Sequence, residues 1–418
     1  MRAERSRLKL WGAEGDEIRV TTDRPWSLVL WEKAQYVPCW DLGGDVWFST
    51  EWLETHSPES PHCYEPIMDK ACRFSRAHLV EHGPARVTVR WEYALCDNLY
   101  RVFRGNSRAE ERYHVYPDGV AVRHLIGWPG DETGDGLNPT MWEVQEFILI
   151  TGPGVHPRDC VEAVGFTLTN LAGDQIELPY PSVWEDWTSL CSLRPEIASW
   201  SEYIGVVHLR GRPSPFVAFP RNPHLFPFAN CTHCGKPHPQ VLGFPRAQSY
   251  SHWPANDATD FVGWTAAAPD DFARQATHTS FACCGYHYGG ETPPRPSSWL
   301  FLTGAVTRGL EEARRLTASW LTPAKVETSG LFEGYAFSER AYRFRLREPG
   351  RLTVRLSPAR PIVSPALRLY YGRSPVKVLW DGNELGRDEF RTQMAGDELL
   401  IWINRTVERD TTFEVAPA

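Results

Sequence analysis

Residues 111–125 read ERYHVYPDGVAVRHL, and this stretch decides the fold class. Apolar and polar residues alternate over 111–116 and again over 120–125, the two-residue period of a strand with one buried face. Pro117, Asp118 and Gly119 lie between the two segments and are residues that form turns. The stretch is therefore predicted to be a strand–turn–strand hairpin.

The same strand pattern recurs along most of the chain. It is found at 18–21, 26–31, 85–93, 142–151, 205–209, 215–219, 341–346, 351–356, 376–380 and 399–403. The 34 Pro, 32 Gly and 18 Trp residues also favour short strands and many turns. Strands with one apolar face that follow one another are typical of antiparallel sandwiches. We therefore predict an all-β protein whose main body is a large antiparallel β-sandwich, similar to a super-sandwich.

One segment, at about 308–321, favours a helix. Thr307 is placed to cap it, and Glu311 and Glu312 lie in its first turn. Pro323 follows its last turn and would end it. Its apolar stripe consists of Leu310, Ala313, Leu316 and Trp320.

At 418 residues, the chain is longer than one ordinary domain. We place the boundaries around the helix. The prediction is a large sandwich over 1–306, a linker helix over 307–322 and a small C-terminal β-sandwich over 323–418.

Charge and composition argue against several classes of protein. The formal charge is −8 and no long basic run occurs, which argues against nucleic-acid binding. No run of about 18 apolar residues exists, so no membrane span is expected. The N-terminal residues lack the apolar core of a signal peptide, and we expect a cytoplasmic protein with reduced thiols; five disulfides are the alternative. No nucleophile elbow, Walker loop or dinucleotide fingerprint is present.

Residues 221–291 contain six of the fourteen histidines and four of the ten cysteines. Cys231 and Cys234 have the C-x2-C spacing of zinc ligands, and His238 follows closely. Cys283 or Cys284 would complete the set. We predict a structural zinc ion that joins the two segments; free cysteines and a catalytic zinc remain the alternatives.

The same region contains a set of candidate acid–base residues. Tyr250, His252 and Trp253 form one group, and His278 forms the second. Arg246 lies between His238 and Cys283 in the sequence. Histidine exchanges protons near neutral pH, and reactive groups are often found on loops. At least one histidine is a candidate catalytic residue, although a structural role is the alternative for each.

Carboxylates and tryptophans form two further candidate sets. Glycosidases need two carboxyl groups that face one another across the bond, and the candidates here are Glu65, Asp69, Glu143 and Glu146. Structural or solvated roles are the alternative. Trp40 and Trp47, near a predicted turn, either pack in the core or stack against a sugar.

Four motifs resemble those of bacterial carbohydrate-active proteins. They are Glu65-Pro66-Ile67-Met68-Asp69-Lys70, Tyr113–Val120, His252-Trp253-Pro254 and His278-Thr279-Ser280. With these motifs the chain is similar to polysaccharide lyases with an ulvan-lyase-like β-sandwich, over most of its length. It departs from them in its Cys231–His238 insert and in lacking a secretion signal, which favours oligosaccharides or glycoside fragments over a polymer.

The resemblance implies β-elimination next to a uronic acid. His252 or His278 would take the C5 proton, Tyr250 would protonate the leaving oxygen, and Arg246 or Arg221 would bind the uronate carboxylate. Trp253, Trp40, Trp47 and Glu65 would contact the sugar. A glycoside hydrolase that uses Glu65 or Glu143, and a sugar-binding protein without activity, are the rival hypotheses.

Overall fold

The computed structural model describes eleven ranges of the chain: 1–50, 52–56, 63–130, 142–180, 195–222, 225–227, 246–247, 276–286, 296–346, 351–370 and 375–418. For residues 56, 63, 225–227, 246–247, 277–278, 280 and 282–286 it describes the backbone alone.

The first sheet contains eleven strands within the described residues. They are β1 (Arg2–Leu10), β2 (Ala13–Thr21), β3 (Ser27–Trp31), β4 (Pro38–Asp41), β5 (Val46–Ser49), β6 (Glu54–His56), β7 (Cys63–Tyr64), β12 (Trp142–Thr151), β17 (Leu225–Pro227), β18 (Arg246–Ala247) and β19 (Thr277–Tyr286). Their order is β1-β2-β3-β4-β5-β12-β19-β17; in addition β6 pairs with β12 and β7, and β18 pairs with β19. Strand β12 thus joins the N-terminal strands to the strands within residues 221–291, where His and Cys are frequent.

The second sheet contains nine strands within the described residues. They are β8 (Arg76–His82), β9 (Val87–Ala94), β10 (Arg108–Val115), β11 (Val120–Trp128), β13 (Val161–Thr169), β14 (Gln175–Pro179), β15 (Glu202–Leu209), β16 (Ser214–Pro220) and β20 (Ser297–Val306). Their order is β14-β13-β15-β16-β20-β11-β10-β9-β8. The two sheets pack face to face, because one apolar cluster contains buried residues of both, among them Phe48, Phe147, Trp91 and Phe166.

The predicted hairpin at 111–125 is confirmed as β10 and β11. These strands pair antiparallel from Arg108 opposite Trp128 to Val115 opposite Ala121. Gly119 closes the turn at φ 76°, and a Cβ atom there would lie 2.4 Å from Nε1 of Trp26. The turn therefore needs glycine for both its backbone angle and its contact.

The C-terminal residues form a second, smaller sandwich. Its strands are β21 (Lys325–Thr328), β22 (Leu331–Ala336), β23 (Ala341–Arg345), β24 (Leu352–Ser357), β25 (Ile362–Val363), β26 (Ala366–Tyr370), β27 (Val376–Trp380), β28 (Asn383–Glu384), β29 (Phe390–Ala395), β30 (Glu398–Ile403), β31 (Thr406–Val407) and β32 (Thr411–Pro417). The sheets β21-β24-β32-β27-β28 and β22-β23-β26-β30-β29 enclose a core of their own. The pair β23–β26 is parallel, and the other pairs among these strands are antiparallel.

The all-β prediction is thus confirmed, with a large sandwich, a helix and a small sandwich in succession. The strands of the first two sheets end at Val306, and those of the small sandwich begin at Lys325. The division into domains at 1–306, 307–322 and 323–418 agrees with these limits but stays a prediction.

Two α-helices lie in the described residues, α1 (Pro157–Cys160) and α2 (Leu310–Leu321). In α2, Ala313, Leu316 and Trp320 of the predicted stripe are buried against the second sheet. The predicted cap at Thr307 is wrong: the N-cap position is Gly309, and its φ of 66° suits glycine. The described helices include none with the length and apolar character needed to cross a lipid bilayer.

A buried polar interface joins the two sandwiches. Arg86 of the large sandwich donates to Glu81 at 2.7 Å and to Glu339 of the small sandwich at 2.8 Å. Oε1 of Gln393 accepts hydrogen bonds from the backbone N–H groups of Ala85 and Arg86, at 3.0 and 2.8 Å. Charges removed from water must be paired, and here Arg86 finds its partners in both sandwiches.

The Glu339 carboxylate makes the interface sensitive to acid. Burial opposes its ionisation, but the Arg86 and Arg368 guanidiniums outweigh burial and lower the pKa of Glu339 to about 2. A carboxylate with a lowered pKa stabilises the folded protein above its ordinary pKa, and the contribution is lost as the pH falls from about 4.5 to about 2.

We expect Glu339→Gln to lower the free energy of unfolding by about 3 kcal/mol at pH 7. The difference from the wild type should shrink as the pH falls from 5 to 2, measured by urea unfolding. Glu384→Gln, at an exposed position, is the matched control and should change little. A deficit that stays constant across this pH range would contradict the assignment.

Candidate functional site

Strand β12 and its neighbour β19 contain members of three candidate sets: the carboxylates, the cysteines and the histidines. Glu143 of β12 lies opposite Glu54 of β6 on one side and Gly285 of β19 on the other. Glu146 lies opposite Cys283, and Ile150 lies opposite His278. The candidate carboxylates, cysteines and histidine are thus contributed by adjacent strands.

Arg246 and His278 are paired across two strands. The backbone of β18 is antiparallel to β19, with Arg246 opposite His278 and Ala247 opposite Thr277. Two residues that are 32 positions apart in sequence are therefore direct neighbours. The other members of the predicted acid–base set, Tyr250, His252 and Trp253, lie outside the described residues.

Arg221 is an exposed residue that immediately follows β16. Its backbone N–H donates to the Ser201 carbonyl at 2.9 Å. Exposure leaves its guanidinium in contact with solvent, which is compatible with the predicted contact to a substrate carboxylate.

The predicted zinc ligands are only in part within the described residues. Cys231, Cys234 and His238 lie outside them, and Cys283 is described by its backbone alone, in β19. Among the described side chains, no group of three or more His, Cys, Asp or Glu residues is placed to hold a metal ion. The zinc site therefore stays a prediction. In the described part, Cys39, Cys72, Cys96 and Cys160 are free thiols.

Glu54 and Glu65 form a buried carboxyl pair at the other end of β12. They are 4% and 2% exposed. The indole Nε1 of Trp52 donates to Oε2 of Glu54 at 3.2 Å and to Oε2 of Glu65 at 3.0 Å. Burial first, then the charge of Glu54 and a hydrogen bond with it, raises the pKa of Glu65 well above its ordinary value. The pair is therefore expected to retain a proton when isolated carboxylates have lost theirs.

Lys70 lies near this pair. Its Nζ atom is buried and has no hydrogen-bond partner among the described residues. Burial lowers the pKa of Lys70 to about 8, and the charge of Glu65 opposes that change. Lys70 is therefore easier to deprotonate than an exposed lysine.

The carboxyl pair is too close for the geometry of a glycosidase. The two acids of a retaining or inverting glycosidase are separated by about 5–10 Å, so that a sugar or water fits between them. Glu54 and Glu65 instead hydrogen-bond to one another and to a single indole. Glu65 is therefore unsuited to act with Glu54 as a glycosidase pair.

Asp69 has a structural role, which was the alternative to its predicted role as a catalytic carboxylate. Its two carboxylate oxygens accept hydrogen bonds from the backbone N–H groups of Arg73, Phe74 and Ser75, at 2.7, 2.7 and 2.8 Å. Asp69 is fully buried and shapes the loop before β8.

Trp40 and Trp47 are not a sugar-stacking platform. They are 1% and 3% exposed and belong to the main core. Nε1 of Trp40 donates to Oγ1 of Thr303 across the sandwich at 3.1 Å. An indole enclosed by the core has no free face, so the predicted sugar contacts are wrong for both. Glu65 is also too buried in this structure for direct contact with a sugar, and that prediction is corrected likewise.

A second buried network positions the segment that contains Trp52 and Glu54. Arg123 forms a two-point ion pair with Glu111 at 2.7 and 2.8 Å, and its Nη1 donates to the Thr50 carbonyl at 2.9 Å. The Tyr93 hydroxyl donates to Glu111 at 2.8 Å and accepts from the Leu53 N–H at 2.7 Å. The backbone groups of Thr50 and Leu53 are therefore bound by side chains of the second sheet.

Glu54, Glu111 and Arg123 were not among the site residues predicted from the sequence. A signal was present for two of them: Glu111 and Arg123 occupy inward positions of the alternating hairpin, where apolar residues are expected. A charge on the apolar face of each of two paired strands indicates a buried ion pair. No comparable signal exists for Glu54, because it meets Glu65 through the pairing of β6 with β7 and β12.

Comparisons with known proteins leave the function open. No family model matches the chain, and no curated protein matches it. Among solved structures, the copper-containing benzylamine oxidase from Hansenula polymorpha aligns with 7% identity and a TM-score of 0.23. The alignment covers 62% of this chain and 43% of the oxidase, so the chain spans less than half of that protein's length. At this TM-score the likeness supports no conclusion, and the resemblance to polysaccharide lyases stays a prediction.

The raised pKa of Glu65 leads to a test by stability. An acid whose pKa is higher in the folded state binds more protons there, so the free energy of unfolding falls as the pH rises above the ordinary glutamate pKa of about 4.3. Glutamine resembles the protonated acid, so Glu65→Gln is expected to raise the free energy of unfolding at pH 7.

The measurement is urea unfolding from pH 4 to 8 for the wild type and this variant. The variant should gain relative to the wild type as the pH rises. Glu92→Gln, at a partly exposed position of β9, should behave as the wild type does. A loss of stability in Glu65→Gln that grows with pH would mean that Glu65 functions as an ionised carboxylate.

Proposed function

We propose that this protein is a carbohydrate-active enzyme that cleaves an oligosaccharide next to a uronic acid by β-elimination. The observation that supports the proposal is the pairing of Arg246 with His278 on β18 and β19. The pairing brings together Arg246, an arginine and therefore always cationic, and His278, a histidine and therefore able to exchange protons near neutral pH.

The proposed chemistry follows from the needs of β-elimination. The C5 proton of a uronate becomes easier to remove when its carboxylate is neutralised, and a guanidinium can do this through two parallel hydrogen bonds. In the proposal Arg246 neutralises the carboxylate and His278 takes the proton. Tyr250, three residues after Ala247, protonates the leaving oxygen, with His252 as the alternative base and Trp253 as a sugar contact.

The separation between the two ends of β19 prevents His278 and Glu143 from acting on the same bond. His278 and Gly285, which lies next to Glu143, are seven residues apart in the strand. At about 3.3 Å per residue, on the order of 20 Å separates His278 from Glu143. One glycosidic bond cannot contact both residues, and the Glu54–Glu65 pair lacks the spacing that a hydrolase needs.

Product chemistry tests the proposal. Purified protein would be incubated with a panel of uronate-containing oligosaccharides and with the same compounds after reduction of the uronate carboxyl group. β-Elimination gives an unsaturated uronate that absorbs ultraviolet light, and the reduced compounds should give none. Cleavage without this absorbance would indicate a hydrolase, and binding without cleavage would indicate a sugar-binding protein; either result rejects the lyase.

A further inference from the structure

A cavity of about 380 Å³ lies where helix α2 meets both sandwiches. Arg24 and Asp118 of the large sandwich contribute to its wall. Arg308, which precedes α2, and Arg315 within it form a second side, and Ser364 of the small sandwich forms a third. Cavities between domains are common sites for small ligands, and this volume suits a small molecule.

The carboxylates of the cavity wall already have partners. Asp118 accepts hydrogen bonds from the Arg340 guanidinium and from the Val120 N–H. Oε2 of Glu312 accepts from the N–H groups of Thr307 and Arg308, at 2.8 Å each. Glu311 pairs with Arg314 at 2.5 Å. Two of the three carboxylates are thus paired with guanidiniums outside the wall, and the third is bound by backbone N–H groups.

The positive charge of the wall is not compensated to the same extent. Arg315 pairs with Glu408 at 2.9 Å. The guanidinium groups of Arg24 and Arg308 take part in no ion pair or hydrogen bond with the part of the chain that the structure describes. Two unpaired guanidiniums thus border the cavity from different elements of the fold.

We propose that this cavity binds a small oxyanion, with Arg24 and Arg308 as its charged ligands. The planar guanidinium donates two parallel hydrogen bonds to a carboxylate, sulfate or phosphate group, which is why an oxyanion fits the site better than a halide. A ligand there would contact both sandwiches and α2, and binding would stabilise the fold. The proposal is independent of the enzymatic function proposed above.

Thermal unfolding combined with calorimetric titration tests the site. Sodium glucuronate, sodium sulfate and sodium phosphate are the probes for the three oxyanion types, each compared with sodium chloride at equal ionic strength. At least one probe is expected to raise the midpoint of unfolding in a saturable manner. In Arg24→Gln/Arg308→Gln the affinity for that probe should fall at least about tenfold. Both residues are exposed, so the double variant should fold.

Two controls separate binding from the general effects of salts. Sulfate and phosphate stabilise folded proteins by exclusion from their surface, which gives a rise that does not saturate and does not depend on the arginines. Arg387→Gln replaces an exposed arginine outside the cavity and should keep the wild-type affinity. Equal responses in the wild type and the double variant, or no saturable response to any of the three probes, would overturn the proposal.

Discussion

Arg123→Leu is expected to lower the free energy of unfolding by about 3–5 kcal/mol, the usual result of breaking a fully buried ion pair. Arg123 and Glu111 are both 0% exposed. Removal of the guanidinium leaves the Glu111 carboxylate without its cation, although the Tyr93 and Tyr113 hydroxyls still donate to it. It also removes the donors to the Thr50 and Val144 carbonyls, which connect the two sheets.

Urea unfolding measures this loss, and two further variants show whether it comes from the unpaired charge. Arg112→Leu, at a neighbouring exposed position of β10, should change stability by no more than about 1 kcal/mol. In Glu111→Leu/Arg123→Leu both charges are gone, and part of the loss should be recovered because no charge remains unpaired. A double variant as unstable as the sum of the two single variants would show that packing, and not the unpaired charge, dominates.

His278→Ala is expected to lower kcat/KM on an uronate oligosaccharide by about 100- to 10,000-fold, the range for removal of a general base. The prediction depends on the lyase proposal. The variant should still bind the oligosaccharide, because the proposed carboxylate contact belongs to Arg246. Arg246→Gln should chiefly weaken binding and also slow the reaction, and Arg246→Lys should retain part of the activity because it keeps the charge.

The controls for this experiment come from the same chain. His78→Ala changes a partly exposed histidine of β8 that pairs with Glu92, and it should keep wild-type activity. Glu143→Gln should keep most of the activity if the lyase proposal holds. Loss of activity in Glu143→Gln together with normal activity in His278→Ala would contradict the proposal and indicate that the catalytic site lies at the carboxylate end of β12.

The hairpin at 111–125 shows which part of the fold the sequence predicts well. The two alternating segments and the Pro-Asp-Gly turn predict both strands and the register in which they pair, because these depend on residues adjacent in the chain. The start of α2 was less predictable. A threonine suggested a cap, but Gly309 occupies that position and Glu312 binds the preceding N–H groups.

The candidate site depends on pairings that local patterns do not contain. Strand β12 pairs with β5 and β6, which precede it by more than 80 residues, and with β19, which follows it by more than 120. Periodicity marks 142–151 as a strand but does not say which partners it takes. The meeting of Glu54 with Glu65, and of Arg246 with His278, therefore needed the three-dimensional structure.

The tryptophans were ambiguous for a different reason. Trp40 and Trp47 lie near a turn, where a ring can be exposed or buried, and composition does not distinguish the two. Burial was decided by the second sheet, which supplies Thr303 as the partner of Trp40.

The contact around Arg86 and Glu339 limits how this chain can be divided or recombined. A fragment that stops before residue 323 would leave the Arg86 guanidinium without Glu339, beside an apolar patch of Ala85 and Tyr116 that Trp402 no longer covers. Such a surface favours aggregation. A chimera that receives its C-terminal portion from another protein must therefore also supply a carboxylate and an amide in the places of Glu339 and Gln393.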